Sequence, residues 1–493
     1  MSEQGTIGPE VLVELRREDG PPLRGQLEAG LREAIRAGRL EPGARLPASR
    51  VLARDLSVSR RLVVEAYEQL RAEGWLEGRT GAGTYVRADG SGGQVAPEPA
   101  PGTPRTPSLR YDFFPGAPNL AAFPRAEWLR CTREALHRMP DRALGYPDGR
   151  GEPELRAQLA AYLRRVRGVE AERERVVVTA GAQQAFGLLA VALRSVLGRA
   201  ARFALEDPGM PRYRLVLADL GAEVVGVEID EDGLRVDALR ATGADAVLAT
   251  PAHQSPTGAA LSAPRRAALA AWAAEGHLVI EDDYDAEFRY DRTPLAALQG
   301  LVPEHVAYVG SASKTLAPGL RLGWVVAPAA LAGPLGRLRV LTDAGSPTIE
   351  QQALAFLIDG GGYDRHLRAA RRSYRARRDA LLAALDRHLP GCTVGGIAAG
   401  LHAVVRPPEP VDEAALMQAA AARSVGVYPL GWAYMRPRHE GGAMVLGYAT
   451  LPEPAIREGV RRLAAAVAEA RHIPPSPPPT GEAIAELLTL PPG

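Results

Sequence analysis

Apolar residues return every four positions near the start of the chain, at Leu23, Leu27, Leu31 and Ile35, with mostly polar residues between them. That spacing predicts an amphipathic helix. Gly38 ends it, and Pro42-Gly43 turns the chain. A short second helix is expected over 48–56, behind Pro47, and a third over 60–72, with Ser59 as its cap. The pattern then shortens to two strand-like runs, 75–79 and 84–87, around Gly81-Ala82-Gly83. Three helices followed by a hairpin make a winged helix-turn-helix pattern over residues 1–87.

Residues 88–108 break this rhythm. They open with Asp89-Gly90-Ser91-Gly92-Gly93 and continue dense in proline and alanine, a composition that predicts a linker because it has little to bury. Beyond it, apolar runs at 176–179, 202–205, 246–250, 278–281, 306–310 and 322–327 are separated by helical stretches. The alternation predicts a mainly parallel sheet with loops gathered at one edge, where ligands bind. From about residue 350, longer helices and a smaller α+β region are expected. The large domain is thus expected over 109–472, and 473–493 is a Pro-rich tail with a short apolar piece at 483–490.

Length and composition add boundaries. A chain of 493 residues predicts two or three domains. The formal net charge of +1 advertises no bulk attraction to nucleic acid, so any DNA contact must be local. Cys131 and Cys392 stand too far apart in sequence for a metal or redox spacing, which fits a reduced cytoplasmic setting. The N-terminus lacks the basic and apolar regions of a signal peptide, and runs such as 267–274 are too short to span a bilayer.

Among 59 Lys+Arg residues one is lysine, Lys314, in the run Gly310-Ser311-Ala312-Ser313-Lys314. Arginine serves in ion pairs and phosphate contacts, but it does not readily lose a proton and attack a carbonyl. A retained lysine therefore points to a Schiff base, most familiarly with pyridoxal 5'-phosphate, PLP. The surroundings fit that chemistry. Asp282, in Glu281-Asp282-Asp283-Tyr284, is the candidate to keep a pyridine nitrogen protonated, with Tyr284 donating to the ring's phenolic oxygen. Gly181-Ala182-Gln183 opens a helix whose N–H groups suit a phosphate, which Arg321, Ser311 and Ser313 can also hold. Each also has a structural reading: Gly181 as a turn, Asp282 as a helix cap, Arg321 as a surface ion pair.

These residues, with Pro256-Thr257-Gly258, resemble the fold-type I aminotransferases over roughly 111–468. The resemblance implies an α/β domain with a smaller C-terminal α+β subdomain. It implies that Lys314 forms the internal aldimine, Asp282 pairs with the pyridine nitrogen and Tyr284 contacts the phenolic oxygen. Ala182, Gln183, Ser311, Ser313 and Arg321 would hold the phosphate. Tyr146, in Gly145-Tyr146-Pro147-Asp148-Gly149, matches a tyrosine that reaches the partner subunit's cofactor, which implies a homodimer. Residues 1–87 resemble the DNA-binding domain of GntR regulators through Pro42-Gly43-Ala44-Arg45-Leu46-Pro47-Ala48-Ser49-Arg50, Val58-Ser59-Arg60 and the wing at Gly81-Ala82-Gly83. The two resemblances in this order, joined by a linker, look like the MocR subfamily over about 10–470.

The resemblance implies DNA contacts from Arg45, Ser49, Arg50, Ser59, Arg60, Arg61 and Arg79, with the start of the third helix in the major groove. Residues 1–87 hold 14 arginines against 13 acids, so the helix pattern rather than charge favours double-stranded DNA. Four positions depart from the family. Met210 stands where aminotransferases stack an aromatic ring on the pyridine. Ser255 replaces the usual asparagine at the phenolic oxygen, where His253 or Gln254 could compensate. Val445 stands in place of the arginine that clamps a substrate carboxylate, with Arg212, Arg436 and Arg438 as alternatives for an effector. Leu62 replaces a threonine near the DNA backbone.

The leading expectation is a cytoplasmic, homodimeric transcriptional regulator that binds an operator and senses PLP, or a small amine or amino acid reacting with it. A working aminotransferase with an autoregulatory DNA-binding domain is the alternative, and the departures argue against it. A cofactor-free scaffold is a third reading, disfavoured by the retained lysine.

Overall fold

The computed structural model describes residues 15–16, 21–79, 83–87, 109–291, 295–471 and 473. The linker expected at 88–108, Gly81 and Ala82 of the wing, and the apolar piece at 483–490 lie outside the described residues. The chain divides into two compact units, Met1–Arg105 and Thr106–Gly493.

In the first unit α1 (Leu23–Arg36), α2 (Ser49–Asp55) and α3 (Arg60–Ala72) precede β1 (Leu76–Arg79) and β2 (Gly83–Val86). The four-residue period of α1 buries Leu27 and Leu31, which pack with Leu52, Val63 and Leu70 in one core. The Ser59 hydroxyl accepts from the Leu62 amide at 3.2 Å, capping α3 as its sequence predicts. β1 and β2 pair antiparallel, with Leu76 opposite Val86.

The second unit begins with β3 (Tyr111–Asp112), followed by α4 (Arg125–Arg138) and α5 (Pro153–Arg167). Its main sheet holds β4 (Val176–Thr179), β5 (Arg202–Asp207), β6 (Glu223–Asp230), β7 (Gly233–Leu234), β8 (Ala246–Ala249), β9 (Leu278–Asp282), β10 (Val306–Ser311) and β11 (Gly323–Val326). Their order across the sheet is β4-β11-β10-β9-β8-β5-β6-β7. Neighbours from β10 to β6 run parallel, whereas β11 runs antiparallel to both β4 and β10.

Both faces of the central strands are covered, so these strands are apolar over most of their length. Phe203, Leu205, Leu248 and Ile280 join one core with α6 (Ala182–Leu197), while Ala204, Val247, Ala249 and Val279 join the core on the opposite face. β6 escaped the sequence reading because its pattern is mostly half-exposed, Val227 being its one buried residue. The expected mainly parallel sheet therefore carries two antiparallel members, β11 and β7. Beyond Pro347 come helices Thr348–Asp359, Gly362–His388, Glu413–Ala421 and Glu453–Ala470, and a three-stranded antiparallel sheet of Thr393–Gly395, His402–Arg406 and Met444–Gly447.

Candidate cofactor site

Strand register gathers the candidate residues. In the parallel β9/β10 pair Val309 stands opposite Asp282, so Asp282 and the one-turn helix Ala312–Thr315 leave the same sheet edge. Gly323 pairs with Ser311 on one side and Thr179 on the other, which joins Ser311 to the start of α6. A Cβ on Gly323 would lie 2.7 Å from Gly181 Cα, so only glycine permits this approach.

Gly181 precedes α6 at φ +106°, and no side chain caps the helix. A Cβ on Gly181 would lie 3.5 Å from Arg321 Nη1. The Arg321 guanidinium thus stands beside the uncapped helix start, where Ala182 and Gln183 form the first turn. Arg321 itself holds the left-handed conformation, φ +52°, a strained choice for a residue with a side chain. The Ser311 hydroxyl accepts from the Ser313 amide at 3.0 Å. Amide, hydroxyl and guanidinium groups of this kind are chemically suited to a phosphate.

Asp282 lies on the same face of β9 as Ile280, by the two-residue strand period, and is 2% exposed. The Tyr213 hydroxyl donates to its Oδ2 at 2.8 Å, whereas Oδ1 is buried with no partner. Burial pushes the Asp282 carboxyl up to about 7; Asp283 and Asp285 add to this, and Tyr213 and Lys314 oppose it. A buried carboxylate oxygen left unpaired is costly, and a protonated ring nitrogen would satisfy it. Asp283 is different. Arg167, at the end of α5, donates to both its oxygens at 2.7 and 3.0 Å, and Tyr308 donates at 2.6 Å.

The Lys314 ammonium donates to the Gly116 carbonyl. Burial lowers its affinity for protons, against the pull of Asp285 and Asp282, which favours the neutral amine needed for attack on a carbonyl. The Tyr284 hydroxyl lies 3.0 Å from His253 Nδ1, and that nitrogen lies 3.0 and 3.1 Å from the two Asp285 oxygens.

The positions that depart from the family are also placed. Met210, 40% exposed, borders a small pocket with Glu206, Tyr213, Ser255 and Met435. Gln254 has no free group to offer. Its amide nitrogen donates to Glu206 and to the carbonyls of Pro208 and Ser255, and its oxygen accepts from Thr257. That corrects the idea that Gln254 could replace asparagine. Val445 packs among Val404, Leu430, Tyr434 and Ala443, an apolar cluster. Arg212 is half-buried beside Tyr213, whereas Arg436 and Arg438 are exposed. Arg438 is bound to Glu440 at 2.7 Å and lies over the Tyr434 ring at 3.6 Å. Tyr146 is 94% exposed.

Sequence reasoning missed Tyr213, Glu206 and Asp285. Tyr213 stands three residues beyond Met210, in the first turn of α7 (Pro211–Asp219), and that spacing was its available signal. Glu206 is buried at the end of β5, its carboxyl pushed up to about 7 by burial. It accepts from the Thr250 hydroxyl at 2.5 Å.

In the first unit Arg45, Arg50, Ser59, Arg60, Arg61 and Arg79 are exposed, and Ser49 is half-buried. Arg61 pairs with Glu65 at 2.7 Å, and Arg79 pairs with Glu77 at 2.8 Å while covering the Tyr85 ring. Arg50 and Arg60 make no ion pair among the described residues. Leu62 is half-buried and packs against the core of the unit.

Residues 120–463 match the aminotransferase class I and II family, and residues 23–86 match the bacterial regulatory proteins of the gntR family. The multiple substrate aminotransferase of Thermococcus profundus superposes with a TM-score of 0.68 at 28% identity, covering 74% of this chain and 93% of that one. Fold and site thus define a fold-type I aminotransferase domain behind a GntR winged helix-turn-helix. The probable rhizopine catabolism regulatory protein MocR of Rhizobium meliloti is 33% identical over 486 residues, covering 92% of this chain and 96% of that protein. The pyridoxine biosynthesis transcriptional regulator PdxR of Corynebacterium glutamicum is 35% identical over 434 residues, covering 88% and 93%. The chain belongs to the MocR-type GntR transcriptional regulators.

Proposed function

We propose that this regulator holds PLP through Lys314 and uses it to sense PLP itself or a small amine or amino acid. The observation that carries the reading is the orphaned, buried Asp282 Oδ1 at the same sheet edge as the sole lysine. In this reading Asp282 pairs with the ring nitrogen and Tyr284 donates to the phenolic oxygen. The first turn of α6 at Ala182 and Gln183, with Ser311, Ser313 and Arg321, holds the phosphate, while Met210 and His253 border the ring. When bound, the cofactor supplies an electrophilic carbon at which the lysine amine can be exchanged for another. Arg212, Arg436 and Arg438 are the candidates for an effector carboxylate, and Arg438 already pairs with Glu440.

The aminotransferase alternative loses support from Val445, buried in an apolar cluster where a clamp would stand. Residues 1–87 bind the operator through Arg45, Ser49, Arg50, Ser59, Arg60, Arg61 and Arg79. Residues 88–108 link that domain to 109–472, and 473–493 form a tail.

Exposed apolar residues around Tyr146 support a homodimer: Leu144, Val340 and Leu341 are 63, 55 and 68% exposed. A Cβ on Gly149 would lie 2.6 Å from Val340 Cγ2, so the two segments adjoin. No described helix is long and apolar enough to cross a membrane, and we place the protein in the cytoplasm with its DNA. The test is DNA binding at its own promoter with and without PLP and a panel of amines. A change in affinity or footprint is expected, because an effector must bind two states unequally. Identical binding under all conditions contradicts the reading.

A further inference from the structure

The group behind Tyr284 has a hydrogen inventory that fixes more than its distances. His253 Nδ1 is one atom facing three oxygens: two of Asp285, at 3.0 and 3.1 Å, and the Tyr284 hydroxyl, at 3.0 Å. The Asp285 and His253 side chains are 1 and 3% exposed, so water does not take over these bonds. An ionised carboxylate only accepts. A lone pair on Nδ1 would face two acceptor oxygens, so Nδ1 carries the hydrogen. Tyr284 then cannot donate to Nδ1. Ser255 approaches the same Tyr284 hydroxyl and favours its ionised form, the effect of a donor, so the tyrosine's own hydrogen is left for the site.

We infer that Asp285 is a positioning residue: by holding the His253 hydrogen on Nδ1, it makes the Tyr284 hydroxyl a donor toward the cofactor's phenolic oxygen. The inference rests on the PLP reading above.

The backbone clamps this arrangement. Gly400, at φ +73°, approaches so closely that a Cβ would lie 2.2 Å from His253 Cε1 and 2.5 Å from Asp285 Oδ2. A Cβ on Gly258 would lie 3.3 Å from His253 Nε2. Glycine at these two positions lets the backbone pack directly against the imidazole and, at Gly400, the carboxylate.

The other charged and titratable neighbours include Lys314, Asp282, Tyr213 and His402, and, around Asp285, Glu287, Tyr290 and Tyr448. The His402 ring lies 5.4 Å from His253, and its Nε2 is 3.0 Å from the Pro256 carbonyl. Burial, then His253, pushes its proton affinity down to about 4, so His402 is neutral at physiological pH. It therefore brings no positive charge against the His253–Asp285 pair.

A donor at the phenolic oxygen favours its ionised form and lowers the pH at which the Lys314-dependent visible band changes. The test titrates that band against pH in PLP-loaded protein carrying Asp285→Ala, Tyr284→Phe, or both. Asp285→Ala frees His253 to place a lone pair on Nδ1 and draw in the tyrosine hydrogen. We expect the midpoint to rise by about one pH unit, a tenfold change in proton affinity, in each single variant. The double variant should rise no further than Tyr284→Phe alone, because Asp285 acts through Tyr284.

An unchanged midpoint in Asp285→Ala, or fully additive shifts in the double variant, would overturn the inference while leaving the PLP reading intact. A wild-type protein with no lysine-dependent band would overturn both. Should Asp285→Ala fail to fold, ring-nitrogen NMR of the cofactor-free wild type, assigned with His253→Phe, decides the tautomer. Hydrogen on Nδ1 supports the inference, and hydrogen on Nε2 alone contradicts it.

Discussion

Two acidic regions meet at the end of β9 and have opposite characters. On one side Asp283 is enclosed by Arg167 and Tyr308, every carboxylate oxygen bonded. On the other, Asp282 is just as buried but keeps one oxygen without a partner, at the sheet edge from which the Lys314 helix also leaves. The strand alternation that separates adjacent residues onto two faces creates this difference. A closed ion cluster serves the fold, whereas an open one stores an unmet demand for a ligand.

The sharpest way to break that comparison is to remove Arg167. Arg167→Ala leaves Asp283 buried without its cation, and a loss of ~3–5 kcal/mol is expected from denaturant unfolding. A loss below ~1 kcal/mol would mean that the cluster is not the closed structural element described.

Asp282→Asn should act in the other direction on the cofactor-free protein. The native Asp282 carboxyl is held near 7, above its ordinary value near 4, so the folded state binds the extra proton. Its contribution is fully present below the ordinary value and is lost as pH rises through about 7. The variant escapes this loss. It should gain on the order of 2–4 kcal/mol over wild type at pH 8 and little at pH 4, while binding PLP more weakly. Equal pH profiles for the two proteins would contradict the buried, unpaired carboxylate.

Surface residues of the small unit should behave differently from both. Arg60→Ala should change stability by less than ~0.5 kcal/mol. It should still weaken operator binding several-fold, with a salt slope lower by about one if its contact is to phosphate. Tyr146→Ala should leave the thermal stability of the protomer nearly unchanged and weaken PLP retention, if it reaches a partner's site. Unchanged retention would sharpen the picture toward a self-contained site.

The elements were legible where their pattern is strong. The four-residue period of α1, the Ser59 cap and the buried runs of β4, β8, β9 and β10 stand close to their expected bounds. β6 was not legible because only Val227 is buried and no alternation survives at the less protected side of the sheet. The antiparallel course of β11 was equally hidden, since an apolar run carries no direction. In the site, Lys314 announced itself by being alone, and Asp282 by its strand-end position. Asp285 did not, because its role depends on the Gly400 backbone, more than a hundred residues away in sequence, pressing against it.

The most direct test of the account is the visible absorbance of the purified protein titrated with PLP, beside Lys314→Ala. The account predicts a saturable band in the wild type that is absent from the variant and that an added amine shifts. Identical spectra for the two proteins would contradict it, because the sole lysine would then not be what holds the cofactor.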